Sequence, residues 1–237
     1  MSLAGGPLSP DMKNIFRPLF VLLAVLVLFP ACEENIDEAP TFVNWKERNR
    51  VAFLQTLGKA KEAIAQAKAR YGNDWEAHCD WRVFRTYAMS PEAQATAADS
   101  IAVHILQRGA GPGSPLYTDS ALVNYQGRLI PNELSEDEES RIKGAVFDYS
   151  GLSRDSAMIF NPDFCSPVHF LVSSTAEGFT TALMFMHVGD MWRVYMPQEL
   201  AYGSSATKSI PAYSTLSFVM QLKGYSRAGT PLPAVGK

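Results

Sequence analysis

The residue types that most often carry chemistry are sparse in this chain of 237 residues. Its three cysteines, Cys32, Cys79 and Cys165, include no C-x-x-C pair and are too few for a disulfide scaffold. The four histidines, His78, His104, His169 and His187, show neither the H-x-x-x-H nor the H-E-x-x-H spacing that sets two imidazoles on one helix face. No histidine-ligated metal site is therefore expected, and no cofactor. With 21 basic against 24 acidic residues the chain has no cationic excess and no basic stripe interleaved with aromatics, so nucleic acid is not an expected partner. A composition of 47% hydrophobic and 19% charged residues is that of a globular protein able to bury a sizeable core.

Cys32 has a context of its own. Lys13 and Arg17 precede the apolar run at 19–29, which is followed by Pro30-Ala31-Cys32. A positive segment, an apolar segment and a small residue before the cut make a secretory signal, and the run is too short to span a bilayer, which takes about 20 apolar residues. Ala31-Cys32 resembles a bacterial lipobox, differing at Phe29, where a smaller residue is usual. The resemblance implies that Cys32 is acylated and becomes the first residue of a lipid-anchored protein in a bacterial cell envelope. Glu33-Glu34 weakly resembles the acidic export signal of surface lipoproteins in Bacteroidetes-like bacteria. From Cys32 onward the chain keeps 19 basic and 23 acidic residues. With Cys32 acylated, Cys79 and Cys165 are an even pair in an oxidising compartment, and a disulfide between them stays open.

The expected layout is a signal peptide at 1–31, a tether at 32–43, an N-terminal helix with its connector at 44–99, a main domain at 100–226 and a tail at 227–237. In the first of the folded parts, Phe53, Leu57, Ala60, Ile64 and Ala67 form one apolar stripe, with Asn44 as N-cap and Tyr71-Gly72-Asn73 as the stop. This helix either covers its own domain or serves dimerisation or the cradling of client chains. Residues 73–100, with Trp75, Trp81, Phe84 and Tyr87, lack a clean period and read as an irregular connector. From residue 100 the period becomes two: strands are expected at 101–105, 121–129, 146–148, 168–172, 191–196 and 216–222. Phe179, Ala182, Leu183 and Met186 fall at i, i+3, i+4 and i+7, a short helix with one apolar face. The expected fold is α+β, an antiparallel sheet wrapped around a short helix and preceded by an amphipathic one.

Along these elements run six short motifs: Val123-Asn124-Tyr125-Gln126-Gly127, Val146-Phe147-Asp148-Tyr149-Ser150, Glu177-Gly178-Phe179, Met186-His187-Val188-Gly189-Asp190, Leu200-Ala201-Tyr202-Gly203, and the run from Ile210 through Pro211 to Phe218. In order and placement the stretch 100–225 resembles the FKBP-type peptidyl-prolyl cis-trans isomerases, in the lipoprotein form of Bacteroidetes-like bacteria. The resemblance implies a site in which Tyr125, Phe147, Asp148 and Tyr202 act on the bond, while Val168, Thr175, Ala176, Phe179, Ile210 and Phe218 hold the substrate. It also implies proline-containing polypeptides as substrates and binding of macrolide inhibitors. Oligomeric state is left open. Phe179 stands where the family usually has Trp, and Val168 where it often has Phe. Segments 133–143 and 151–166 lengthen two loops, where insertions cost little stability.

Twisting an X-Pro amide needs no nucleophile or metal. The transition state is less polar than the planar amide, so an apolar aromatic pocket favours it by differential binding. The prolyl ring would rest on Phe179, walled by Tyr125, Phe147 and Phe218. The Ala176 N–H and the Tyr202 hydroxyl would hold flanking carbonyls, and Asp148 would orient Tyr125 or polarise the twisted carbonyl. Two other classes compete with an active isomerase: a non-catalytic binding module or chaperone on the same fold, and a complex subunit whose insertions meet a fixed partner. Turnover of a proline peptide separates the first from the others.

Overall fold

In a computed structural model of the protein, residues 40–90, 92–152 and 160–231 are described. The expected signal segment, Cys32, most of the tether and residues 232–237 lie outside them, as do 153–159 of the second insertion. Among the described residues no helix is long and apolar enough to cross a membrane.

Helix α1 (Trp45–Tyr71) buries Phe53, Leu57, Ala60 and Ala67 as the stripe requires, and Gly72 ends it at φ 57 with its N–H on the Lys68 carbonyl. Asn44 does precede the helix, but its backbone is left-handed (φ 53, ψ 30) and its side chain makes no capping bond. A side-chain cap needs an extended backbone at that residue. Here the chain arrives instead through a 3-10 turn, Pro40–Phe42, that sets the Phe42 ring edge-on against Trp45, 5.0 Å between centroids. The last residues of the expected tether thus pack on the domain.

One antiparallel sheet of seven strands follows, with α1 on its outer face and a short helix on its inner face. The strands are β1 (Trp81–Arg85), β2 (Ser100–Gln107), β3 (Ser120–Arg128), β4 (Val146–Tyr149), β5 (Val168–Leu171), β6 (Met191–Met196) and β7 (Leu216–Ser226). Their spatial order is β1-β2-β6-β7-β3-β4, with β5 sharing the outer edge of β3. Alternation divides β2 cleanly: Ile101, Val103 and Ile105 join the inner core, while Ala102 packs with Phe53, Leu57 and Ala60 of α1. Burying side chains such as Phe53 and Leu57 stabilises this layer by about 1.5–3 kcal/mol each. The α1 stripe is therefore spent on its own domain rather than left open.

Strand β1 corrects the reading of 73–100 as an irregular connector. It pairs with β2 along its whole length, from Trp81↔His104 to Arg85↔Ser100. The alternation is hidden because an arginine takes an inward position. Arg82 is buried on the same face as Phe84, its guanidinium donating to the carbonyls of Glu76, Cys79 and Trp81 and lying over the Trp75 ring. Phe84 stacks on Phe185 and Trp192.

Cys79 and Cys165 are both free thiols, which removes the open alternative of a disulfide between them. Cys79 precedes β1 at one margin of the sheet, and Cys165 bridges Gly151 beyond β4 at the other. Disulfide geometry needs Cα atoms within about 7 Å, and six strands separate these two.

The first insertion is more than a lengthened turn. Within it Asp137 caps helix α2 (Glu138–Lys143) through the Ser140 N–H at 2.7 Å, and Glu139 meets both Arg128 (3.0 Å) and Lys143 (3.2 Å). Arg128 and Glu139 are both largely buried. Deleting residues 136–141 is therefore expected to cost about 1–3 kcal/mol, the range for a charged group losing a buried partner, where an exposed loop would cost a few tenths. Urea denaturation of the deletion against the parent protein measures the difference.

Helix α3 (Glu177–Phe185) fills the concave side of the sheet. Phe179, Ala182 and Leu183 are buried, and Met186 follows as the capping residue, also buried. Its first turn lies tight on β6: a Cβ at Gly178 would sit 2.8 Å from that of Met196. Glycine at that motif position lets the helix bring Phe179 down to the sheet.

Candidate active site

Four strands and the start of α3 converge on a cleft of about 170 Å3, lined by Tyr125, Asp148, Phe170, Ser174, Thr175, Ala176, Phe179, Tyr202 and Phe218. The strand register explains the convergence. Gly127 on β3 faces Asp148 on β4 and Phe218 on β7, and directly opposed residues share a face of the sheet. A shift of register between Gly127 and Arg128 gives β4 an extra residue there. Such a bulge re-aims side chains, which explains how the consecutive Phe147 and Asp148 both serve this side. Gly127 leaves the room they need: a Cβ there would lie 2.5 Å from the Phe147 ring and 2.7 Å from that of Phe218.

Phe179 forms the floor. Its ring meets Phe218 edge to face at 5.2 Å, Phe170 at 5.6 Å and Tyr125 at 6.2 Å, contacts that fix ring orientation beyond simple burial. At the rim the Tyr125 hydroxyl donates to the Asp148 carboxylate at 3.0 Å. Burial first, and then the neighbouring carboxylate that both repels a phenolate and accepts from the phenol, push Tyr125 well above its ordinary pKa. It stays protonated, with its one proton donated in the hydrogen bond to Asp148. Asp148 also accepts from the Tyr149 N–H at 2.9 Å, so one oxygen is held by backbone and the other by the phenol.

Thr175 and Ala176 form the lip where the chain enters α3. Ala176 precedes the helix with an extended backbone, and a residue in that position has an N–H outside the helical ladder. The Thr175 hydroxyl lies 2.8 Å from that of buried Thr180, which itself donates to the Val172 carbonyl, fixing the lip to the helix. Across the cleft Tyr202 is 46% exposed, ring toward solvent and cleft alike.

Of the ten residues expected at the site, seven line the cleft: Tyr125, Asp148, Thr175, Ala176, Phe179, Tyr202 and Phe218. The other three stand behind it. Phe147 packs edge-on against Phe218 at 5.3 Å, Ile210 is buried in the core, and Val168 is half-buried against it. Phe170 and Ser174 line the cleft without having been expected. Phe170 lies two residues after Val168 on β5 and so on the same face, and it supplies the aromatic wall. That period-two relation was the signal available for it.

A larger cavity of about 510 Å3 lies over the outer face of the sheet, between α1 and the α2 segment, near Thr56, Arg128, Arg193 and Tyr195. It touches none of the expected site residues and has no carboxylate in its lining.

Residues 111–223 match the family described as FKBP-type peptidyl-prolyl cis-trans isomerase. The match covers just under half of the chain. Macrophage infectivity potentiator of Trypanosoma cruzi is 31% identical to it over 145 residues, 60% of this chain and 62% of the relative. The FKBP-type 22 kDa peptidyl-prolyl cis-trans isomerase of Escherichia coli (strain K12) is 35% identical over 119 residues, 50% of this chain and 46% of the relative. Outer membrane protein MIP of Legionella longbeachae is 33% identical over 121 residues, 51% of this chain and 41% of the relative. The alignments span about half the length of these relatives. The matched region begins within the segment between β2 and β3 and ends in β7, so α1, β1 and β2 lie ahead of it.

Proposed function

We propose that this protein is a peptidyl-prolyl cis-trans isomerase that speeds rotation about X-Pro bonds in other exported polypeptides. The observation that carries the reading is the floor of Phe179 among three further rings, with the Tyr125–Asp148 pair at its edge. Rotation must break amide resonance, a barrier of about 18–20 kcal/mol, and unaided it takes tens to hundreds of seconds. As the bond twists, the carbonyl loses partial charge. A dry aromatic surface therefore stabilises the twisted state over the planar one. In this reading Phe179 receives the prolyl ring between Phe218, Phe170 and Tyr125. The Ala176 N–H and the Tyr202 hydroxyl donate to flanking carbonyls, and Asp148, by accepting from the Tyr125 hydroxyl, fixes the Tyr125 ring as a wall of the cleft. Macrolide inhibitors would compete for the same floor.

A protease-coupled isomerisation assay on the purified protein, with an Ala-Leu-Pro-Phe peptide, tests this. A rate that rises in proportion to protein is expected. Absence of any rate above background, with proline peptides still bound at the cleft, would install the second reading, a non-catalytic binding module. Phe179 in place of the family's usual Trp is the feature that favours that alternative.

The same proposal places the protein in the cell envelope, anchored through acylated Cys32, with 1–31 removed and 32–39 serving as tether. The lipobox-like Ala31-Cys32 and the name of the Legionella relative support it. Cys32→Ala is expected to shift the protein from the membrane fraction to the soluble one while its isomerase activity is unchanged. Palmitate labelling that survives the substitution would remove the anchor from Cys32.

A further inference from the structure

We propose that Asn49 and Trp45, on α1 and outside the family-matched region, are positioning residues that brace the loop carrying Tyr202. This rests on the isomerase reading of the cleft. Tyr202 is half exposed, so its hydroxyl is placed by its backbone rather than by packing. That backbone belongs to the loop at 197–215 between β6 and β7, which closes on itself through Gly203 N–H to Gln198 carbonyl (2.9 Å), Thr207 N–H to Ile210 carbonyl (2.8 Å) and Tyr213 N–H to Gly203 carbonyl (2.7 Å). The last bond ties Gly203, the residue after Tyr202, to Tyr213. Tyr213 has φ 62, a left-handed backbone that a bulky aromatic residue adopts only when its surroundings hold it there.

What holds it is the first two turns of α1. The Trp45 indole N–H donates to the Ser214 hydroxyl at 2.9 Å, and that hydroxyl donates on to the Pro211 carbonyl at 2.7 Å. Asn49, 1% exposed, accepts the Thr215 N–H on its side-chain oxygen at 2.8 Å, and its own carbonyl accepts the Thr215 hydroxyl at 3.1 Å. Its amide nitrogen returns to the Trp45 carbonyl at 2.7 Å, so both ends of the side chain are used. Lys46 adds its ammonium 4.4 Å from the centre of the Tyr213 ring. An asparagine is a poor choice for the buried face of a helix unless its amide is fully bonded, and here the far partner is this loop alone. Three residues beyond Thr215, β7 delivers Phe218 to the cleft wall. The brace therefore sits between two members of the cleft, Tyr202 and Phe218.

The experiment is a double-mutant cycle in the full chain, pairing Asn49→Ala with Tyr202→Phe and reading kcat/KM for an Ala-Leu-Pro-Phe peptide. Leu57→Ala serves as the control: it loosens the same helix on the sheet without touching the loop. Asn49→Ala is expected to lower kcat/KM about tenfold, well beyond Leu57→Ala at matched folded fraction. In the Tyr202→Phe background most of that loss is expected to vanish, because the hydroxyl being placed is already gone. Additive losses, or a loss no larger than the control's, overturn the inference. Trp45→Phe keeps a ring in the core and removes only the indole N–H, and it is read in the same cycle should Asn49→Ala fold poorly. If the wild-type protein shows no isomerase rate, the proposed function fails by itself, and the cycle is read on the peptide Kd instead. Coupling in Kd then supports the brace, and its absence, or the absence of peptide binding, overturns it.

Discussion

Phe179→Ala is expected to lower kcat/KM for a proline peptide by about a hundredfold, ~2.7 kcal/mol of transition-state stabilisation, and to destabilise the fold by about 3–5 kcal/mol. Both effects come from one ring. It is 5% exposed and meets Phe218, Phe170 and Tyr125, so truncation opens a cavity at the centre of the cleft as well as removing its floor. The two are separable by assaying at a temperature where denaturation curves place the variant above nine-tenths folded. Phe179→Leu is the companion, since it refills much of the volume without the aromatic face. Leucine restoring stability while the rate stays low is the expected pattern. A folded alanine variant within threefold of the wild-type rate would show that the prolyl ring rests elsewhere.

The second large effect is structural. Asp190 is buried at the turn between α3 and β6, its carboxylate accepting the Gly109 N–H at 2.6 Å and the His187 N–H at 2.7 Å. The turn is tightly built: a Cβ at Gly109 would lie 2.4 Å from both the Asp190 nitrogen and the Val188 carbonyl. Asp190→Ala leaves two donors without their charged acceptor, each worth about 1–3 kcal/mol, and a total near 3 kcal/mol lowers Tm by about 6–12 °C for a domain of this size. Asp190→Asn is expected to recover roughly half, because its oxygen accepts one N–H while its amide group faces the other donor. Calorimetry of the two variants checks the order, and an alanine variant within about 1 kcal/mol of wild type would mean that the N–H groups find other acceptors.

What the sequence disclosed followed the strength of local patterns. Ile101-Val103-Ile105 and Phe179-Ala182-Leu183-Met186 carry one period each, and both elements form as the periods demand. β1 escaped because Arg82 occupies an inward position, and a buried guanidinium satisfied by three carbonyls is indistinguishable in sequence from an exposed one. At the cleft, motif order located Tyr125, Asp148, Phe179 and Tyr202, whereas Phe170 went unseen. It shares a face with Val168, and which of the two lines the cavity depends on where β5 pairs along β3, Ala121↔Phe170 and Val123↔Val168. Nothing local encodes a register. The bonds of Trp45 and Asn49 to the far loop are a stronger case of the same kind, and so is the helix that 133–143 forms around Glu139.

Those bonds also order events in time. Trp45 and Asn49 meet partners 169 and 166 positions later in the chain. A nascent polypeptide is made from its N-terminus, so α1 is complete long before Ser214 and Thr215 exist. Contacts of such long sequence separation form late and slow folding. The helix can pair early with β1 and β2, its near neighbours in sequence, but the loop bearing Tyr202 reaches its final seat only after nearly the whole chain has been synthesised. On the isomerase reading, the cleft becomes competent only when α1 and the loop ahead of β7 have met.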